Sequence, residues 1–320
     1  MHGVMMAARK KPIILLVPYF GKAPLFWSSF YHSISHSKLI DVICITDCLS
    51  DFKCSDNIHI VQVNFDDFKN KVTGALGCQA NISSPYKICD FKPAFAKIFQ
   101  KEIEGYDFWA YGDIDTVFGD IDFFISDKLD KYDVISFRKH WLSGSLTIIR
   151  NQDTLNDLYM RSSMVAQVFA ADSNHCFDEA PGDTLRKVLD FGEDYYELKS
   201  IDTFTGLVFR AARRGELRLY NNDLALEWIG PRTVTCLPSK VMCSNGKSYP
   251  YYHLVCDKGL KWFSWKGEVP FPVTFSRWGY CSGKKPIPTL RGIWYYAWSI
   301  ALHFIRLNFA KGFKLIRIGQ

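Results

Sequence analysis

The chain has 320 residues and a formal net charge of +6, with 39 Lys and Arg against 33 Asp and Glu. That length suits one large globular domain with appendages or two small ones, and so mild a charge excess gives no reason to expect nucleic acid as a partner. No run reaches the roughly 20 apolar residues that a bilayer span needs. The ten cysteines are scattered without a Cys-x-x-Cys pair. Cys44 and Cys48 lack a matching His/Cys cluster, which argues against a structural zinc site and points to buried thiols in a reducing compartment.

Arg9, Lys10 and Lys11 precede the apolar run Ile13 to Val17, which is too short for the core of a secretion signal and has no small-residue cleavage site. Residues 1–10 are therefore read as an arm, the run as a first core strand, and a cytoplasmic location is expected. Strands are predicted at Ile13 to Tyr19, Asp41 to Thr46 and Ile58 to Val63, with a helix from Leu25 to Ser35. A second helix is predicted from Lys92 to Glu104, with Pro93 in its first turn and Gly105 just past its end. Tyr106 to Tyr111 then returns as a strand. This alternation predicts a parallel α/β layer.

Farther on, Val134 to Phe137, Leu146 to Ile149, Leu217 to Tyr220 and Tyr251 to Val255 read as strands. Gln152 to Phe169, Thr184 to Asp190 and Asp202 to Arg214 read as helices. The Pro-, Gly- and aromatic-rich stretch 262–290 reads as a connector between a catalytic body, residues 11–261, and a basic tail, residues 291–320.

The strand at Tyr106 to Tyr111 runs straight into Asp113-Ile-Asp115. Two carboxylates one residue apart at a strand end can point the same way, and their mutual repulsion is relieved by a divalent cation that keeps sites open for phosphate oxygens. The same letters also occur in solvated turns, so position and company decide. In open α/β sheets ligands gather at the carboxyl ends of the strands. Asp47, after the strand ending at Thr46, shares that edge. Upstream, Lys87-x-x-Asp90-x-Lys92 crowds charge at a helix start, where free N–H groups attract anions. Asp90 is either a plain helix cap or a partner for a sugar hydroxyl.

Taken together, Lys87-x-x-Asp90-x-Lys92 and Tyr106-Asp-Phe-Trp-Ala-Tyr-Gly-Asp113-Ile-Asp115 resemble the donor-binding core of GT-A glycosyltransferases. The chain looks closest to an uncharacterised bacterial family associated with surface-polysaccharide loci, and is more distantly similar to lipopolysaccharide galactosyltransferases and Asp-x-Asp mannosyltransferases. The similarity extends from Pro18 to about Lys261. It implies a Rossmann-like mixed sheet flanked by helices, and a nucleotide-sugar donor, UDP- or GDP-linked, whose diphosphate meets Mn²⁺ or Mg²⁺ held by Asp113 and Asp115. His253 would complete the metal shell and Lys258 would meet the diphosphate. Asp47, Lys87, Asp90, Lys92, Ser143 and Gly144 would lie against the donor, with lysine at 92 where many relatives carry arginine. Asp178 and Glu179 would flank the anomeric carbon, one binding donor hydroxyls and the other serving as a base if the reaction inverts.

The implied acceptor is a glycan or lipid-linked glycan of capsule, lipopolysaccharide or exopolysaccharide. From Lys284 to Gln320 there are seven Lys and Arg and no Asp or Glu. A helix over 291–320 would gather His303, Arg306, Lys314 and Arg317 on one side beside Trp and Tyr, which suits the anionic inner face of a membrane; docking on the protein's own core is the rival. Two other functions stay open: a nucleotidyltransferase on a similar scaffold, and a membrane-attached nucleotide-sugar binding module without turnover.

Overall fold

The computed structural model describes residues 11–24, 26–48, 55–77, 80–180, 202–227, 233–255, 272–276 and 279–282. Among these, strands form a mixed seven-stranded sheet with helices on both faces, the α/β architecture expected. Its order is β3-β2-β1-β4-β7-β6-β8. The strands are β1 (Ile13–Tyr19), β2 (Ile40–Thr46), β3 (Ile58–Gln62), β4 (Phe108–Gly112), β6 (Val134–Ser136), β7 (Leu146–Arg150) and β8 (Leu219–Asn221). The first four are parallel, and β7 runs antiparallel to both β4 and β6.

Alternation along the central strands feeds two separate cores. Ile14, Leu16, Trp109 and Tyr111 face the helices at Phe65–Leu76, Phe95–Ile98 and Phe204–Arg213. Ile13, Leu15, Val17, Phe108 and Ala110 face those at Trp27–Ile34 and Ile121–Ile125. Both faces of β1 and β4 are thus dry, which is why these strands read as continuous apolar runs. A side chain of this size contributes about 1.5–3 kcal/mol when fully buried, and the carboxylates at the end of β4 are mounted on that rigid base.

Three local expectations change. The helix at Phe65–Leu76 was not anticipated, although Asn64 caps it by accepting from the Asp67 N–H at 2.8 Å and Gly77 closes it at φ +60°. The helix expected from Lys92 begins instead as a 3₁₀ segment, Pro85–Ala94, followed by a single α-turn at Phe95–Ile98; Pro93 lies inside it and Asp90 points away. The helix expected over Gln152 to Phe169 is cut into three pieces. The first break is at Asp157 and the second at Ser162 and Ser163, whose hydroxyls bond Asp202 in place of helix continuation.

A second sheet has the order β11-β10-β9-β13-β14. It comprises β9 (Thr233–Leu237), β10 (Lys240–Cys243), β11 (Ser248–Tyr249), β13 (Val273–Ser276) and β14 (Gly279–Ser282). The last two fall within the stretch expected to be a connector. Val273 and Phe275 turn into the same small core as Val234 and Val241, so period-two burial, not the Pro and Gly content, decides their state. A short ribbon joins β5 (Thr116–Phe118) to β12 (Tyr251–His253). The helices expected at Thr184 to Asp190 and over 291–320 lie outside the described residues. No helix among the described residues is long and apolar enough to cross a membrane.

Candidate active site

The acidic pair sits between two strands. β4 ends at Gly112, Asp113 follows with its N–H on Ser145 O at 3.3 Å, and Asp115 immediately precedes β5. The ribbon then supplies the third residue: β12 runs antiparallel to β5 with His253 opposite Thr116, and the Leu254 N–H donates to Asp115 O at 2.9 Å. The His253 Nε2 consequently lies 3.4 Å from Asp115 Oδ2 and 3.9 Å from Asp113 Oδ2.

One ligand atom from each of Asp113, Asp115 and His253 can be chosen so that all lie within 4.8 Å of one another. Two carboxylate oxygens and an imidazole nitrogen suit Mn²⁺ and, less well, Mg²⁺. The His253 Nδ1 is buried without a hydrogen bond, a sign that the ring's polar environment is incomplete as it stands. Burial disfavours a charged His253, yet Asp115, Glu227 and Asp113 raise its pKa to about 10. The acidic charge around the ring thus favours a positive partner, a proton or a cation.

Lys92 ties this trio to the rest of the site. Its ammonium is 2.8 Å from Asp113 Oδ1, 2.9 Å from Gly144 O and 3.3 Å from Asp178 Oδ2. Burial pushes its pKa down, but Asp113 and Asp178 together carry it well above the ordinary lysine value. Glu179 Oε1 accepts from the Gly144 N–H at 2.6 Å. Burial raises the Asp178 carboxyl against the pull of Lys92, and burial with Asp178 beside it raises Glu179. Two carboxyls so close and so dry keep their protons to higher pH than free carboxyls do, the direction in which a proton-transfer group is tuned.

Gly144 allows this closeness. A Cβ there would stand 2.9 Å from Glu179 Oε1 and 3.0 Å from Asp178 Oδ2. The glycine expected to admit a sugar admits two carboxylates. Ser143, expected beside it, is fully buried and joined to Ser145 and Tyr251 through its hydroxyl at 2.8 and 2.9 Å.

Lys87 and Asp90 are enclosed behind the cleft. They form an ion pair of 2.7 Å with side chains 1% and 0% exposed. Lys87 also donates to Val168 O and Ser173 O at 2.6 and 2.8 Å. Asp90 accepts from the His175 and Phe177 N–H groups, each at 2.9 Å. Asp90 is thus neither a helix cap nor a lining residue; the pair fixes the loop that delivers Asp178 and Glu179. Asp47 is exposed and accepts from the Gly21 N–H at 2.8 Å, joining the ends of β1 and β2. Lys258 lies outside the described residues.

Lys92, Asp113, Asp115, Gly144, Asp178, Glu179 and His253 open together on one cleft of about 470 Å³, walled by Tyr19, Phe20, Phe26 and Tyr86. It lies at the carboxyl ends of β1 and β4, the edge where α/β sheets bind ligands. Cys89 and Cys176 line it too, and burial lifts both thiols, Cys176 to about 11, which disfavours their thiolate forms. Sequence reasoning missed Glu227 and Arg138. Glu227 Oε1 is 3.5 Å from His253 Nδ1 and Glu227 is ion-paired with Arg138. A single acid after Leu224-Ala-Leu carries no local signal.

The model of a family described as Family of unknown function (DUF6625) matches residues 15–259. The chain belongs to that family. No match is found for this DUF6625 chain among curated proteins. Among solved structures it is similar to mouse xyloside xylosyltransferase 1 in its apo form, at 8% identity over 76% of this chain and 97% of that one, with a TM-score of 0.39. It is also similar to a putative nucleotide-diphospho-sugar transferase from Desulfovibrio desulfuricans G20, at 11% identity over 66% and 80% of the two chains, with a TM-score of 0.31.

Proposed function

We propose that the protein is a metal-dependent glycosyltransferase that moves a sugar from a nucleoside diphosphate donor to a glycan of the cell surface. The observation that carries the reading is the convergence of Asp113, Asp115 and His253 with Lys92, Asp178 and Glu179 in one cleft at the carboxyl ends of β1 and β4. So dense a set of opposed charges in one cleft favours turnover over a binding module.

In this reading Asp113, Asp115 and His253 hold Mn²⁺ or Mg²⁺. The cation supplies charge neutralisation for a departing diphosphate. Lys92 adds a second positive charge to the same wall, fixed before the donor arrives. Asp178 and Glu179, partly protonated, meet sugar hydroxyls or the incoming acceptor oxygen. Tyr19, Phe20 and Phe26 offer the apolar wall of the cleft to the nucleoside. Lys87 and Asp90 act on the donor through the loop they fix. Attachment to the inner face of an anionic membrane through residues 291–320 is the matching proposal for where the acceptor is met.

The test is a screen of UDP- and GDP-sugars for Mn²⁺-dependent hydrolysis, run beside the double variant Asp113→Asn, Asp115→Asn. Release of nucleoside diphosphate by the wild type and its loss in the folded double variant are expected. Free pyrophosphate as product would assign a nucleotidyltransferase, and turnover in the double variant equal to wild type would sink the assignment.

A further inference from the structure

Glu227 reaches the site by a backbone contact remote from the acidic pair. Leu226 forms a parallel bridge with Tyr252, and the His253 N–H donates to Leu226 O at 2.7 Å. This brings the next side chain, Glu227, to the side of the imidazole opposite Asp113 and Asp115. Its Oε1 stands 3.5 Å from Nδ1, while Nε2 is 3.4 Å from Asp115. The ring is therefore sandwiched between a single carboxylate on one nitrogen and the acidic pair on the other.

The carboxylate is itself held. Arg138 ion-pairs with Glu227 and, at 3.1 Å, with Asp223, and its guanidinium lies over the Trp141 ring at 5.4 Å. A neutral imidazole carries one N–H, and the hydrogen bond made by one nitrogen decides which nitrogen keeps its lone pair. His253 Nδ1 is buried without a hydrogen bond of normal geometry, and Glu227 Oε1, 3.5 Å away, is the acceptor beside it.

We infer that Glu227 is a positioning residue for the metal site: it takes the Nδ1–H of His253 and so turns the Nε2 lone pair toward the cation held by Asp113 and Asp115. Arg138 keeps Glu227 in place and balances its charge, which leaves the trio as the ligand set. Outer carboxylates of this kind tune ligand orientation and basicity, and their loss costs about 10- to 100-fold in metal affinity. The inference rests on the metal reading above.

Mn²⁺ binding to the full-length protein, followed by electron paramagnetic resonance of the free ion, tests it without any turnover assay. Glu227→Ala is expected to weaken Mn²⁺ by about 10- to 100-fold. Glu227→Gln, which keeps an oxygen acceptor, is expected to bind more tightly than the alanine variant. In a His253→Ala background, Glu227→Ala is expected to add no further loss, since it acts through that ring. Thermal melting without metal checks that each variant is folded. A folded Glu227→Ala protein with wild-type affinity, or a full additional loss in the His253→Ala background, overturns the inference and leaves the metal reading intact. Failure of the wild type to bind Mn²⁺ overturns both.

Discussion

The ammonium of Lys92 stands 2.8 Å from Asp113 Oδ1 and 3.3 Å from Asp178 Oδ2. One buried cation thus joins the Asp113/Asp115 pair to the carboxyls across the cleft, and the two halves of the site share a single charge balance.

Lys92→Met leaves Asp113 and Asp178 without that partner. Removing one member of a buried ion pair costs about 3–5 kcal/mol, and a loss in that range is expected from urea unfolding. Calorimetry with Mn²⁺ and UDP or GDP is expected to show weaker nucleotide binding. An unfolding curve that overlays the wild type would mean that Lys92 is not the shared counter-charge.

Lys87→Met removes the partner of Asp90 and two backbone anchors, at Val168 and Ser173. A loss of about 3–5 kcal/mol is again expected, with hydrogen exchange rising first at residues 173–178. Exchange there that stays at the wild-type rate would detach the clamp from the loop.

Gly144→Ala places a methyl group 2.9 Å from Glu179 Oε1 and 3.0 Å from Asp178 Oδ2. Such overpacking costs about 1–3 kcal/mol. Donor hydrolysis is expected to fall more than stability does, because both carboxyls must swing out. Equal hydrolysis by Gly144→Ala and wild type would show that their present positions are not needed.

The carboxyls of Asp178 and Glu179 are raised in the folded protein. Below the ordinary carboxylate range, near about pH 4, both folded and unfolded chains hold these protons and the contribution to stability is complete. As pH climbs, the unfolded chain releases its protons first, so this contribution is lost on the way to neutrality. Urea midpoints of the metal-free wild type are expected to decline between about pH 5 and about pH 7 relative to an Asp178→Asn, Glu179→Gln variant. Parallel profiles for the two proteins would remove the pair from the pH response.

Asp115, Glu227 and Asp113 raise the His253 pKa to about 10 against its burial, so a protonated ring is the expected metal-free state at neutral pH. A metal ligand must be the neutral ring, so Mn²⁺ binding at pH 7 is expected to expel about one proton. Calorimetry in buffers of differing ionisation enthalpy reads that number directly. Binding without proton release would leave His253 outside the ligand set.

The central strands and the Asp113/Asp115 edge were legible because burial on both faces writes unbroken apolar runs such as Ile13 to Val17. The helix at Phe65–Leu76 carries end signals of its own in Asn64, Asp66, Asp67 and Gly77. The second sheet was harder: its strands are short, and Val273 and Phe275 are apolar only in alternation. Lys87 and Asp90 could be recognised as a charged pair, but their fixing of residues 173–177 is a contact between segments far apart in sequence. Glu227 owes its place to the bridge between Leu226 and Tyr252. No local pattern encodes a pairing of that kind.

The ribbon that sets His253 opposite Thr116 also fixes when in the protein's life the trio can exist. A ribosome delivers Asp113 and Asp115 well before residues 251–253, and the amino-terminal strands of a domain emerge first. Until the late strand arrives, the nascent chain carries two carboxylates and no imidazole, a poor grip on a cation. On the metal reading proposed above, acquisition of a cation would therefore be a timestamp on completion, and a half-made chain would draw little from the cell's supply.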